Sequence, residues 1–210
     1  PSVDVSLAAV QQAKIIIAQM SPNVPRVQGD GFIHVSKLSY IVRCEENLFS
    51  PTVCPITPEE RVIGKHIANL VEDGATLQMG IGSIPNAVLA ALENHKDLGI
   101  HSEMFSDGIL PLVEKGVING SKKDVHRNEI IASFAVGSPD LYAFMHDNPL
   151  VKLYDFAYVN NLLTIMRNPK VTAINSAVEI DLSGQVCADS IGSYMYSGVG
   201  GQIDYMHGAA

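Results

Sequence analysis

The chain has 210 residues, 47% of them apolar and 17% charged, enough for one large core or for one domain with part of a second, and too apolar for a disordered polymer. A formal net charge of −8 without any dense Lys/Arg run gives it no electrostatic footprint for nucleic acid. Anionic ligands stay open to it, because helix N-termini and backbone amides bind phosphate or carboxylate without a basic patch.

In chain order, residues 3–20 space Val10, Ala13, Ile17 and Met20 at helical intervals, and Ser21-Pro22-Asn23 stops that helix. Gly29-Asp30-Gly31 is a turn, followed by strands over Phe32–Val35 and Tyr40–Val42. Pro51 and Pro55 bracket an extended stretch from Leu48 to Ile56, read as an interdomain linker. Thr57-Pro58-Glu59-Glu60 combines an N-cap threonine, a proline at the first helical position and a glutamate at the third. The helix it opens is expected to reach Val71 and to bury Val62, Ile63, Ile67 and Leu70, with Asp73-Gly74 ending it.

Ala75–Met79 is then a strand, Gly80–Ser83 a loop, Pro85–Leu92 a helix, Leu98–His101 a strand and Leu110–Lys115 a short helix. A polar turn at Asn119–Lys123 leads to a strand at Ile130–Val136, a helix at Pro139–His146 and extended segments at Leu150–Tyr154 and Val171–Ser176. Val178–Leu182 and Gln185–Ala188 form a hairpin across Ser183-Gly184. Strands alternating with helices predict an α/β fold with an open, mostly parallel sheet and flanking helices.

The three cysteines, Cys44, Cys54 and Cys187, are odd in number and lack CxxC spacing, so they read as thiols of a reducing compartment. No apolar run reaches membrane-spanning length and no signal-peptide pattern occurs, so the cytoplasm or an organelle matrix such as the mitochondrial matrix is the expected location. The chain starts on Pro1 and stops at Gly208-Ala209-Ala210, directly after a glycine-rich stretch, and is expected to be a section of a longer polypeptide.

Three constellations carry candidate chemistry. Gly80-Ile81-Gly82-Ser83-Ile84-Pro85 joins an apolar strand to a helix start, where glycines admit a ligand close to the backbone and helical N–H groups are unpaired. Such a turn can hold a phosphate or an acyl oxyanion. It is neither a dinucleotide fingerprint, since Pro85 takes the third glycine position, nor a P-loop, and an ordinary tight turn is equally consistent with it.

Glu103, in Gly99-Ile100-His101-Ser102-Glu103-Met104, falls just past a strand end, where open α/β sheets place ligands. A carboxylate there can attack a thioester to give a mixed anhydride, which a thiolate converts to an enzyme-bound thioester. The alternative for such a residue is a solvated loop glutamate. The third constellation, Ser197-Gly198-Val199-Gly200-Gly201-Gln202-Ile203-Asp204, is a second candidate backbone-donor loop or else a hairpin tip, with Asp204 able to accept its amides. The histidines form no metal set, since His95, His101 and His126 are scattered and no HExxH occurs. His101 lies on the same side of the extended segment as Glu103, and a packed core histidine is the plainer reading. Glu179 and Asp181 are read as a solvated strand face. The absence of GxSxG disfavours a serine hydrolase.

At Met79–Val88, at Leu98–Gly108, at Ile174–Ala177 running into Glu179–Val186, and at Tyr196–Tyr205, the sequence resembles the acetyl-CoA hydrolase/transferase family, and within it the 4-hydroxybutyrate and butyryl-CoA/acetate CoA-transferase branch. The resemblance implies a class I CoA-transferase of two similar open α/β domains. Residues 1–45 would be the end of the first domain, 46–56 the linker and 57–210 most of the second, catalytic domain, with most of the first domain and the strands after Ala210 lying outside this chain. It implies a ping-pong cycle through a glutamyl-CoA thioester, with Glu103 as the catalytic glutamate. The CoA-contacting and oxyanion loops fall on Gly80, Ile81 and Gly82 and on Gly198, Val199, Gly200 and Gly201, with Gln185 and Asp204 in support. Acyl-CoA and a short carboxylate are the implied substrates, with no metal or redox cofactor and CoA itself a substrate; a homo-oligomer is expected. Acyl-CoA hydrolysis and a non-catalytic CoA-binding domain are the alternatives.

Overall fold

The computed structural model describes residues 1–52 and 55–210. Cys54, and with it part of the linker expected over 48–56, lies outside the described residues.

Residues 1–52 supply helix α1 (Ser6–Gln12) and strands β1 (Ile17–Met20), β2 (Gln28–Gly29) and β3 (Tyr40–Arg43). The helix expected to run to Met20 ends at Gln12, and β1 pairs in parallel with β3. The run Ile15-Ile16-Ile17 accounts for the change, because β-branched side chains are stiff and favour the extended chain. Phe32–Val35 is not a strand: the chain makes a single 3-10 turn at Val35–Lys37, capped by the His34 ring accepting from the Ser36 amide.

Helix α2 (Pro58–Ala68) starts where its capping box places it, with the Thr57 hydroxyl accepting from the Glu60 amide at 3.2 Å and the Glu60 carboxylate accepting from the Thr57 amide at 2.8 Å. Its buried side is only in part the one expected, with Ile67 half-buried against the core. Gly64 and Ala68 face inward, while Val62 and Ile63 are exposed and Leu70, just past the helix, is 81% exposed. Small residues win because α2 lies directly on the backbone of the next helix: a side chain at Gly64 would overlap the Ala87 carbonyl.

Strand β4 (Thr76–Met79) is buried at all four positions and leads into helix α3 (Ser83–Ala91). Strands β5 (Gly99–Ile100) and β6 (Met104–Phe105), helix α4 (Leu110–Glu114), strands β7 (Ile130–Ala132) and β8 (Phe134–Ala135), helix α5 (Pro139–Met145) and strand β9 (Val151–Leu153) follow. Two short helices, α6 (Phe156–Val159) and α7 (Leu162–Met166), precede strand β10 (Val171–Ile174). Beyond it come two exposed hairpins, β11 (Glu179–Ile180) with β12 (Val186–Cys187) and β13 (Ser190–Ile191) with β14 (Tyr194–Met195), and then helix α8 (Gln202–Gly208).

All the central strand pairs are parallel. One set runs β10-β4-β5 and another β7-β9-β2, joined by a parallel bridge between His101 and Ile131. From β4 the chain winds outward through β5, β7 and β9, then returns across the sheet to place β10 on the other side of β4. That reversal makes the carboxyl ends of β4 and β10 a topological switch point, where open α/β sheets bind ligands. Helices cover both faces. Ile130 and Ala132 point into the main core with Leu77, Val88, Leu89, Leu112, Leu141 and Met145, while Ile131 points into a second cluster with Val159, Ile165 and Tyr205. The N-terminal segment is stitched to the same sheet: β2 adds to β9, and the Val3 amide donates to the Ser133 carbonyl at 2.9 Å.

Candidate active site

Glu103 sits in a break between β5 and β6, at the carboxyl edge of the sheet. Its backbone is held on both sides. The amides of Ser133 and Phe134, two consecutive residues of the neighbouring strand, both donate to the Glu103 carbonyl, at 2.8 and 3.2 Å. The register is the same on either side, His101 opposite Ile131 and Met104 opposite Phe134, so this forked pair of bonds spans the break without inserting a residue. On the other side, the buried Ser102 hydroxyl accepts from the Met79 amide and donates to the Met79 carbonyl, both at 3.2 Å. The end of β4, just before Gly80, is thereby tied to the residue just before Glu103.

The half-buried carboxylate has a definite partner. Asn160, the C-cap residue of α6, donates from Nδ2 to Glu103 Oε2 at 2.6 Å and to Asp204 Oδ2 at 3.3 Å. Its amide oxygen accepts from the Tyr205 hydroxyl at 3.1 Å. The orientation of that amide follows from chemistry, since two carboxylates can only accept and so must face the NH2. Gly201 closes the same spot: a Cβ there would overlap both the Glu103 carboxylate oxygen and the Asn160 nitrogen.

Two buried bases lie behind the strand that leads to Glu103. His101 is 2% exposed and is the core histidine its alternation allowed, with Nε2 2.8 Å from the Val159 carbonyl. Burial pushes its pKa down to about 4, so the neutral ring donates from Nε2 and steadies the end of α6 beside Asn160. Lys123, 1% exposed, donates from Nζ to the carbonyls of Ile100 and Glu129, both at 2.8 Å, linking the strand that leads to Glu103 with the one beside it. Burial lowers its pKa to about 7 against the opposing pull of the Glu129 charge.

The first glycine loop is where its sequence put it. Gly80 extends the β4 ladder by one bond, its amide donating to the Ile174 carbonyl at 3.0 Å, and the side chains of Gln78 and Asn175 pair across β4 and β10 at 3.0 and 2.8 Å. Ile81 is 67% exposed, and Gly82, at φ +116°, makes the turn into α3 in a backbone region that side chains avoid. In the second loop the residues divide. Gly201 packs on Glu103, whereas Gly198, Val199 and Gly200 are exposed, with open space around the two glycines. Gln185 stands elsewhere, bonded to Asp181 in the β11–β12 turn at 2.9 Å. Among the described residues no group of His, Cys, Asp and Glu is arranged for a metal ion.

Asn160 and Tyr205 were missed in the sequence. A signal existed at Asn160-Asn161, since Asn161 alone caps α7 by accepting from the Thr164 amide at 3.2 Å and leaves the other asparagine free for another task. Asp204 is part of the site, but it accepts from Asn160 rather than from the glycine loop.

The fold is an open α/β sheet with the Glu103 carboxylate at its carboxyl edge, held by the Asn160 amide. The family follows from the sequence comparisons. Residues 1–53 match the acetyl-CoA hydrolase/transferase N-terminal domain and residues 137–210 the C-terminal domain, and the chain belongs to that family. Over 98% of its length it is 50% identical to the 4-hydroxybutyrate coenzyme A transferase of Clostridium kluyveri, 48% of which it covers. It is 48% identical to the succinyl-CoA:acetate/propanoyl-CoA:succinate CoA transferase of Fasciola hepatica, over 100% of this chain and 44% of that one. It superposes on the crystal structure of 4-hydroxybutyrate CoA-transferase from Porphyromonas gingivalis with a TM-score of 0.88 at 41% identity, covering 99% of this chain and 50% of that chain. The chain spans about half the length of the curated relatives it matches.

Proposed function

We propose that the protein carrying this chain is an acyl-CoA:carboxylate CoA-transferase, with Glu103 as its nucleophile and a glutamyl-CoA thioester as its intermediate. The donor is an acyl-CoA such as 4-hydroxybutyryl- or butyryl-CoA, and the acceptor a short carboxylate such as acetate. The observation that carries this reading is the Glu103 carboxylate, half-buried at the sheet edge, with Asn160 Nδ2 2.6 Å from Oε2 and Gly201 packed against it.

The steps balance without proton transfer. A Glu103 oxygen bonds to the donor's acyl carbon, the acyl C–S bond breaks, and CoA leaves as thiolate. The thiolate attacks Cδ of Glu103, and the Cδ–O bond to the acyl group breaks, releasing the donor carboxylate and leaving glutamyl-CoA. The acceptor carboxylate attacks the same Cδ and expels the thiolate. The thiolate then takes the new acyl group, and Glu103 is a carboxylate again. Every step is attack of an anion on an acyl carbon, so the protein's task is to orient the reactants and to place donors where oxyanions develop. Asn160 serves the attacks at Cδ, where negative charge grows on the Glu103 oxygen it touches. The amides of Ile81 and Gly82 are assigned to the acyl oxygen, since that of Gly80 is spent on Ile174, and the exposed Gly198–Gly200 to the CoA chain.

The test is turnover of butyryl-CoA by the full-length protein with and without acetate. The reading expects consumption that depends on acetate, yields acetyl-CoA and is abolished in Glu103→Gln. Steady consumption without any added carboxylate would make water the acceptor and the protein a hydrolase.

A further inference from the structure

We propose that Tyr205 is a positioning residue that keeps the Asn160 amide aimed at Glu103 during the half of the cycle in which Glu103 is acylated. The inference rests on the transferase reading above and adds to it a residue that no step there uses. Before reaction, two carboxylates accept from Asn160 Nδ2, Glu103 at 2.6 Å and Asp204 at 3.3 Å, and between them they hold the amide in place. Once Glu103 carries an acyl group or CoA its charge is gone, and its oxygen, now a neutral carbonyl, holds the amide more weakly beside the longer contact to Asp204. The opposite side of the amide is held by the Tyr205 hydroxyl, 3.1 Å from Asn160 Oδ1. A flipped amide would turn Oδ1 toward Glu103 just when an oxyanion is about to form there, and the Tyr205 bond opposes that flip.

Tyr205 is built for this task. It is fully buried against Ile131, Val159 and Ile165, so its ring is fixed by packing. Burial, with the nearby charges of Glu103 and Asp204, holds its phenol pKa well above the ordinary value, so the hydroxyl remains a donor throughout the working pH range. Its second acceptor, the Val159 carbonyl at 3.4 Å, belongs to the same turn that carries Asn160. Tyr205 also belongs to α8, which begins directly after Gly201, so one helix sets both the amide and the glycine that closes over the carboxylate.

The experiment is rapid-quench kinetics of the full-length protein as wild type, Tyr205→Phe, Asn160→Ala and the double variant. Formation of the Glu103 adduct from butyryl-CoA and its discharge by acetate are followed separately. Tyr205→Phe keeps the packed ring and removes only the oxygen, and loss of one buried hydrogen bond corresponds to roughly 3- to 10-fold in rate. Both phases contain an attack at Cδ of an acylated Glu103, so the expected result is adduct formation and discharge both slowed by that factor, with no further slowing in either phase when Tyr205→Phe is added to Asn160→Ala. An additive double variant, or wild-type rates in both phases, would overturn the role assigned to Tyr205 while leaving the transferase reading intact. Absence of any Glu103 adduct in the wild type would overturn both.

Discussion

Gly201→Ala separates the chemistry of the site from its stability. The backbone at Gly201 is at φ −92° and ψ +7°, where alanine is comfortable, so the substitution adds no conformational strain. Its new methyl would occupy the space of Glu103 Oε2 and Asn160 Nδ2. Both are the free ends of side chains, and they can swing aside at a cost of about 1 kcal/mol. For a domain of this size that amounts to a melting shift of roughly 2–4 °C. The nucleophilic oxygen, however, must move by about the radius of a methyl group, and a displacement of ~1 Å at a reacting centre costs on the order of 100-fold in rate. Gly116→Ala is the control, since it lies in open space just past α4 and outside the site, and its φ of +74° charges the variant only a backbone penalty of about 1–2 kcal/mol. Melting curves and acetate-dependent turnover of both variants of the full-length protein check the reasoning. The expected pattern is a nearly native melt with at least ~100-fold lower turnover for Gly201→Ala, and a lowered melt with native turnover for Gly116→Ala. Wild-type turnover in Gly201→Ala would refute it.

Three further outcomes follow from the same geometry. Asn160→Ala removes the donor on Glu103 Oε2 and should lower kcat by about 100-fold or more, and Asn160→Asp, which sets a third carboxylate beside Glu103 and Asp204, should be slower still by steady-state assay. The folded chain should lose stability as pH falls from about 6.5 to 4, because the unfolded chain protonates His101 there and the folded one does not; it should gain stability as pH rises from about 7 to 10.5, where the unfolded chain alone keeps the Lys123 proton. Each group contributes a slope of up to ~1.4 kcal/mol per pH unit, and urea melts across pH on wild type and Lys123→Met, which should lose the upper limb, test this. Gly64→Ala pits a helix-propensity gain of about 1 kcal/mol against overlap with the Ala87 carbonyl and the Val88 amide, which are backbone and cannot swing away. Overpacking of this kind costs about 1–3 kcal/mol, so the urea midpoint should fall, and a rise would show that α2 and α3 separate easily.

Much of the architecture is written locally in the chain. The Thr57-Pro58-Glu59-Glu60 box, the apolar run at Ala75–Met79 and the glycine turn into α3 each carry their own start signal, and each element begins within two residues of its expected place, although α2 ends at Ala68 rather than running to Val71 and the Asp73-Gly74 stop. The short helices α6, α7 and α8 have only four to seven residues, too few for a helical period to emerge, and they are held by tertiary contacts among Val159, Ile165 and Tyr205. The inward face of α2 was only partly readable, for a different reason. Apolar spacing shows which side could be buried, whereas Gly64 meeting the Ala87 backbone is a property of two helices together. The site divides in the same way. Glu103 and the Gly80–Gly82 loop stand out because strand ends and glycine turns are local features. Asn160, 57 positions from Glu103, joins it only when β5, α6 and α8 converge.

The most direct test of the central claim is peptide mass mapping of the full-length protein after incubation with butyryl-CoA and reduction by borohydride. Reduction of a glutamyl thioester converts the side chain to an alcohol. The account predicts a peptide containing Glu103 lighter by the difference between a carboxyl group and a primary alcohol, with the mass change absent when acyl-CoA is omitted. Acyl-CoA consumed to acetyl-CoA in the presence of acetate, with the Glu103 peptide unmodified, would contradict it.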